Sequence, residues 1–167
     1  MVWRGSSSPR DRVFACLPYI LPLIEAIPFS IALFNQLPQL GAIYLTLLAP
    51  FLAVYTFLGS IFPFIGLVIF FALFLLVVRN ERIRHFIRYN TMQSILISIA
   101  LSLMTLCLQL LGTVGFELPS IPVLGEAIFN LIFLAVVAAS TYSIVQCIRG
   151  WYAEIPIVSD AVYAQVR

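Results

Sequence analysis

The chain contains no lysine, and charged residues of any kind are scarce. Only 10% of its 167 residues are charged, whereas 62% are hydrophobic; a soluble domain has about 25% charged residues. Seven acids and nine arginines cannot form the polar shell that a water-soluble fold of this size needs. The composition therefore excludes a soluble globular protein. It predicts an all-α membrane protein that forms a single integral-membrane domain over 1–167.

Patterns typical of enzymes and metal sites are also absent. There is no phosphate-binding glycine loop, G-x-S-x-G elbow, H-E-x-x-H pair or dinucleotide fingerprint. Cys16, Cys107 and Cys147 lie in or beside apolar runs and are predicted to be small packing residues rather than a disulfide framework or a metal site. His85 is the only histidine and is interpreted as an interfacial residue rather than a general base. The sequence predicts no enzyme, no cofactor and no nucleic-acid partner.

Five apolar segments follow one another along the chain. Four are near the roughly 20 residues that a transmembrane helix requires. These four predicted spans are 42–59, 61–79, 91–112 and 124–148. The first segment, 13–37, contains three prolines and Glu25 near its middle, so it is predicted to be a Pro-broken interfacial or partly inserted helix. A short polar N-terminal tail (1–11) and a polar C-terminal tail (150–167) flank the helices.

Positive charge is confined to three short zones, and this predicts the topology. Arginines precede the first apolar segment, occupy 79–88 and recur near the end of the chain. Such zones are typical of loops on the cytoplasmic side of a membrane. If the first two zones share a side, an even number of crossings separates them, and the pair 42–59 and 61–79 supplies two. The alternative is that 13–37 spans the membrane and 42–59 is re-entrant. Either arrangement gives four crossings and both termini on one side.

A stripe of polar residues follows one face of the predicted span 91–112. Its members are spaced three or four residues apart, which places them within a narrow arc of a helix. The stripe comprises Thr91, Ser94, Ser98, Ser102, Thr105 and Gln109. Small hydroxyl residues permit close helix packing, but polar groups in a bilayer also line water-filled cavities. Both interpretations remain open from the sequence.

The segment before this span combines four arginines with uncharged polar groups. Arginines in a loop are held in the headgroup region, but amide and imidazole groups are costly at a membrane boundary unless they are hydrogen-bonded. We therefore predict that this segment makes specific contacts. The candidate contact residues are Arg79, Asn80, His85, Arg88, Tyr89, Asn90 and Gln93.

Five blocks of the sequence carry a family resemblance. They are LPYILPL (17–23), FNQLP (34–38), FFALFLLVVRN (70–80), HFIRYNTMQ (85–93) and IPIVSDA (155–161). In this order they resemble the family of the twenty-kilodalton component of the translocon at the inner envelope membrane of chloroplasts, called Tic. The sequence departs from the usual family pattern at Tyr89, where Phe is common, and at Ser94, where Ala is common.

The resemblance implies a four-helix protein of the chloroplast inner envelope, or of a cyanobacterial membrane, with both termini on the stromal or cytoplasmic side. It implies that the protein forms or contributes to a protein-conducting channel, with preproteins and other translocon subunits as partners and a homo-oligomer as a possible assembly. A non-conducting scaffold or assembly subunit is the alternative. Because the long transit peptide of plant precursors is missing here, a cyanobacterial or plastid-encoded member, or a trimmed mature form, is expected.

Overall fold

The computed structural model describes residues 8–62, 64–113, 122–156 and 158–166, and its regular elements are all helices. The predicted fold class, an all-α membrane protein, is confirmed. Most of the predicted turn at 112–122 and the arginines at 4 and 167 lie outside the described residues. The eight α-helices are α1 (Pro9–Cys16), α2 (Ile20–Glu25), α3 (Ile31–Gln36), α4 (Pro38–Ile61), α5 (Ile65–Ala72), α6 (His85–Thr113), α7 (Pro122–Arg149) and α8 (Val158–Gln165).

The first three helices form one broken rod. Short 3₁₀ turns at Leu17–Tyr19 and Ile27–Ser30 join them, and each turn contains a proline. Proline removes a backbone donor and clashes with the preceding turn, so tighter local geometry accommodates it without ending the helix. The rod bends by 54° between Glu25 and Ile27. At its start, Ser8 and Asp11 cap α1 through reciprocal hydrogen bonds of 3.3 and 2.7 Å.

This broken rod runs antiparallel to α7 along most of its length. The contacts, in order from one end of the bundle to the other, are Arg12 Nη1 to the Ile148 carbonyl (3.2 Å), Cys16 Sγ to the Ile144 carbonyl (3.8 Å), the rings of Phe29 and Phe129 (centroids 5.8 Å apart) and Gln36 Nε2 to Glu126 Oε2 (3.4 Å). Because α7 is long and apolar enough to cross a membrane, a segment in contact with both of its ends traverses the same thickness.

Within this fold class, two of the five predicted segments, 13–37 and 61–79, differ in detail from the structure. Segment 13–37, expected to be interfacial or partly inserted, is a bent helix pair that is long and apolar enough to make a fourth span. The predicted span 61–79 forms only α5 and a π-helical continuation, Leu73–Val78. Their 8 and 6 residues fall short of the roughly 20 that a complete crossing needs. Prolines disfavour the insertion of an isolated helix, but contacts with α6 and α7 hold this segment inside the bundle.

Helix α4 is continuous and belongs to the spanning set, so it is not re-entrant. It has 24 residues and starts with Pro38 in the first turn, where the missing N–H costs nothing. Gly41 permits the tight approach of α3, since a Cβ there would lie 2.9 Å from Cγ of Phe34. The three full-length candidate spans are Pro38–Ile61, His85–Thr113 and Leu124–Arg149, and the bent rod makes a fourth.

The arginine-bearing segments meet at one end of the bundle. Arg84 forms an ion pair with Asp11 at 2.5 Å, and Arg12 bonds to the end of α7. An even number of crossings must therefore separate α1 from α6, and the bent rod and α4 supply two. The predicted C-terminal tail also lies at this end. It contains α8, whose Val162 is buried with Tyr89 of α6.

Candidate functional site

The bent rod fills the space between α6 and α7 and so determines what the polar stripe contacts. Its buried residues Ala15, Tyr19 and Phe29 share one hydrophobic cluster with Ile97 of α6 and Phe133 of α7. The stripe on α6 faces this rod at its first half. In the second half of α6, beyond the bend in the rod, the stripe borders a groove. Residues of the rod, α4 and α5 form the rest of its wall.

In the first half, the stripe residues serve helix packing. Thr91 and Ser94 are fully buried, and Ser94 Oγ donates to the Pro18 carbonyl at 2.6 Å. Pro22, four residues after Pro18, has no N–H with which to bond that carbonyl. The serine hydroxyl supplies the missing donor. This pair ties α6 to the broken rod at the point where proline disrupts the hydrogen-bond ladder.

In the second half, the stripe lines a groove with a volume of about 670 Å³. Ser102 and Gln109 are exposed, so the groove is open at the protein surface. The polar residues of its wall are Glu25, Tyr55, Ser98, Ser102, Thr105 and Gln109. The remaining wall is apolar, with Leu21 and Phe70 among its residues. The stripe is thus divided near Ser98 into a packed half and a groove-lining half.

Glu25 is the residue of this groove that the stripe pattern did not include. It ends α2 immediately before the bend, and both its Oε1 and the Tyr55 hydroxyl lie against Gly66 of α5, 3.6 and 3.5 Å from where a Cβ would stand. Its Oε2 and the Ser98 hydroxyl are both shielded from solvent, and the Ser98 hydroxyl lies beside the Glu25 carboxylate. The sequence did contain a signal for Glu25, because an acid within an apolar run indicates an intramembrane functional residue.

The candidate contact residues at 79–93 mostly make contacts within the protein. Asn80 Oδ1 accepts from the Arg82 amide (3.0 Å), and Arg88 Nε donates to the Val78 carbonyl (2.8 Å), so these two close the turn that leads into α6. Arg79 is exposed. The arginines thus include one that fixes local structure and one that faces outward.

His85 and Tyr89 contact the C-terminal segment. His85 Nδ1 lies 3.1 Å from the Tyr152 hydroxyl, and the rings of Tyr89 and Tyr152 pack edge to face with centroids 4.9 Å apart. Tyr89 also lies against Tyr163 of α8, with centroids 5.0 Å apart. These contacts hold α8 beside the start of α6.

Asn90 and Gln93 point into the bundle. Tyr19 donates to Asn90 Oδ1 at 3.1 Å, and Asn90 Nδ2 donates to the Phe86 carbonyl at 2.8 Å. Gln93 Nε2 donates to Ser143 Oγ of α7 at 3.3 Å. Both amides are fully buried, so they specify which neighbouring side chains can face α6.

The bent rod, the three long helices and the lateral polar groove define the class of the protein: a multi-pass α-helical membrane protein with intramembrane polar groups turned toward an open groove. The model of the family described as "Chloroplast import apparatus Tic20-like" matches residues 7–162. The chain belongs to the Tic20 family.

Relatives from three kinds of organism share this family. The chain is 42% identical to a "Tic20 family protein" of Synechocystis sp., a match that covers 100% of this chain and 99% of the relative. It is 34% identical to "Tic20 family protein Ycf60" of Porphyra purpurea over 93% of this chain and 75% of the relative. It is 31% identical to "Protein TIC 20-I, chloroplastic" of Arabidopsis thaliana over 93% of this chain and 54% of that longer protein.

Proposed function

We propose that this protein is a subunit of a protein translocon in the chloroplast inner envelope or a cyanobacterial membrane, and that its polar groove contributes to a hydrated path for preproteins. The family description and the chloroplast names of the plant relatives support the translocon role. The observation that carries the path is the polar side of the groove, where Ser102 and Gln109 are exposed and Glu25 stands within an otherwise largely apolar wall. Polar groups without partners cost several kcal/mol in hydrocarbon, and water in the groove would supply partners for the exposed side chains of Ser102 and Gln109.

The groove is open on one side, so the proposed path requires an assembly with another protein chain. Ser102 and Gln109 are exposed at its edge, so a closed path needs a second wall, supplied by another copy of the chain or by another translocon subunit. The arginine-bearing end faces the stroma or the cytoplasm in this proposal, in accord with the positive-inside rule. The protein performs no covalent chemistry; in a cyanobacterium the same path serves secretion or membrane insertion.

A non-conducting scaffold is the second candidate. The burial of Ser94 against the bent rod favours it, since this hydroxyl serves packing and faces no path. The two candidate functions differ in whether the groove-lining half of the stripe contacts a preprotein.

Photo-crosslinking to an arrested preprotein tests the proposal. A benzophenone amino acid placed at Ser102 or Gln109 should form an adduct with a radiolabelled preprotein halted during transit. The same amino acid in place of Cys107, which is exposed on α6 but outside the groove, should not. An intact complex on native gels with no adduct at 102 or 109 would favour the scaffold, and equal adducts at 102 and 107 would contradict a defined path.

A further inference from the structure

A second groove adjoins the first and shares Leu21, Ile24 and Tyr55 with it, and its wall is almost entirely apolar. It is bounded by α1, α2, α4, α5 and α6, and its volume is also about 670 Å³, within the usual range for ligand pockets. Leu21, Phe51, Val54 and Ile69 are typical of its wall. Only Tyr55 and Thr91 contribute side-chain polar atoms. In a bilayer, the molecules that reach such a groove are lipid chains.

Thr91 lines the apolar groove with a hydroxyl group that has no partner among the described residues. Thr91 is fully buried. A helical threonine commonly bonds the carbonyl four residues earlier, and Thr46, Thr56 and Thr105 do so at 2.7, 2.9 and 2.9 Å. The hydroxyl of Thr91 is instead left available to an acceptor from another molecule.

Positive charge stands at one end of the apolar groove. Val77 and Ile83 line that end, and they flank a segment in which Arg79 and Arg82 are exposed. The only acid in this segment is Glu81. The end of the groove thus offers guanidinium groups to an anion at the membrane surface, which favours an anionic headgroup.

We propose that the apolar groove is a binding site for an anionic glycerophospholipid. One acyl chain occupies the groove, an ester carbonyl accepts a hydrogen bond from Thr91 Oγ1, and the phosphate lies beside Arg79 and Arg82. The order of these three features along the groove, apolar wall, hydroxyl and then arginines, is the order of acyl chain, ester and phosphate in such a lipid. The proposal stands independently of the translocon role.

Native mass spectrometry of the purified full chain tests this site. The detergent-solubilised protein is offered phosphatidylglycerol or phosphatidylcholine with identical acyl chains. The wild type should retain one phosphatidylglycerol in preference to phosphatidylcholine by about tenfold, because two arginines each favour the anion near the surface. Val54→Trp, which fills the groove from an exposed position on α4, should lose the tightly held lipid of either kind.

Two further variants separate the headgroup from the ester contact. Arg79→Gln with Arg82→Gln should abolish the preference for phosphatidylglycerol, whereas the same change at Arg149, on α7, should keep it. Thr91→Val should weaken retention of both lipids by about threefold, the effect of one hydrogen bond in a membrane, and Thr46→Val, at a position that lines neither groove, is the control. Equal retention of the two lipids by the wild type, or unchanged retention by Val54→Trp, would show non-specific annular lipid and overturn the proposal.

Discussion

A cysteine at position 102 will react to near completion with a membrane-impermeant thiol reagent, whereas a cysteine at position 94 and the native Cys107 will remain unmodified. Ser102 is exposed in the polar groove, while Ser94 is fully buried under the Pro18 carbonyl. Cys107 is exposed but lies about 140° around α6 from Ser102, outside the groove. A charged reagent travels in water, so it distinguishes a groove that holds water from a surface that contacts lipid.

The measurement uses proteoliposomes with reagent on both sides of the membrane. Cys16 and Cys147 are replaced by alanine in every variant, and Cys107 is also replaced in the variants with a cysteine at 94 or 102, so that each contains a single thiol. Modification at both 102 and 107 would mean that the reagent does not report the groove. Protection at 102, with full reaction after solubilisation in detergent, would mean that lipid or a neighbouring subunit fills the groove and that the stripe serves packing throughout.

Truncation of Phe133 to alanine will cause the largest loss of stability among single changes in the bundle. Phe133 is 2% exposed and packs edge to face against Phe34 and Tyr44, with centroids 5.4 and 5.3 Å apart. It joins α7 to both α3 and α4. We expect a loss near the lower end of the roughly 3–5 kcal/mol seen for such truncations, because lipid solvates an exposed ring about as well as the protein interior does.

Phe57→Ala provides the control for this change. Phe57 is 65% exposed on α4, so its removal leaves no enclosed cavity and should change stability by a few tenths of a kcal/mol. The comparison is made by reversible unfolding in mixed micelles or by steric trapping. Equal losses for the two variants would contradict the packing of α3 and α4 on α7.

Hydrophobicity and helical periodicity were sufficient to predict the long helices. α6 and α7 were expected at 91–112 and 124–148, and the structure has them as longer helices that contain these ranges. The stripe on α6 was visible for the same reason. Its division into two functions was not, because the division depends on which distant segment covers each part of the helix.

The bent rod shows why the placement of segment 13–37 could not be predicted from the local sequence. Three prolines and an acid in one apolar segment are unfavourable for an isolated transmembrane helix, so local reasoning placed 13–37 at the interface. The compensating partners come from elsewhere in the chain: Ser94 bonds the Pro18 carbonyl, and the Tyr44 hydroxyl bonds the Leu23 carbonyl at 2.8 Å. Those pairings are tertiary contacts that no local pattern contains.

The central claim is that the N-terminal segment crosses the membrane against α7 and thereby carries Glu25 into the polar groove. Two native cysteines test it directly. Cys16 Sγ lies 3.8 Å from the Ile144 carbonyl, and Cys147 Sγ lies 3.8 Å from the carbonyl of Ala15, the residue next to Cys16. Treatment of the wild-type protein in membranes with copper phenanthroline, followed by mass spectrometry of its peptides, should yield an intramolecular disulfide between Cys16 and Cys147. Failure to form it, with Cys16 pairing only with Cys107 or with a second molecule, would contradict the placement of the bent rod and of the groove.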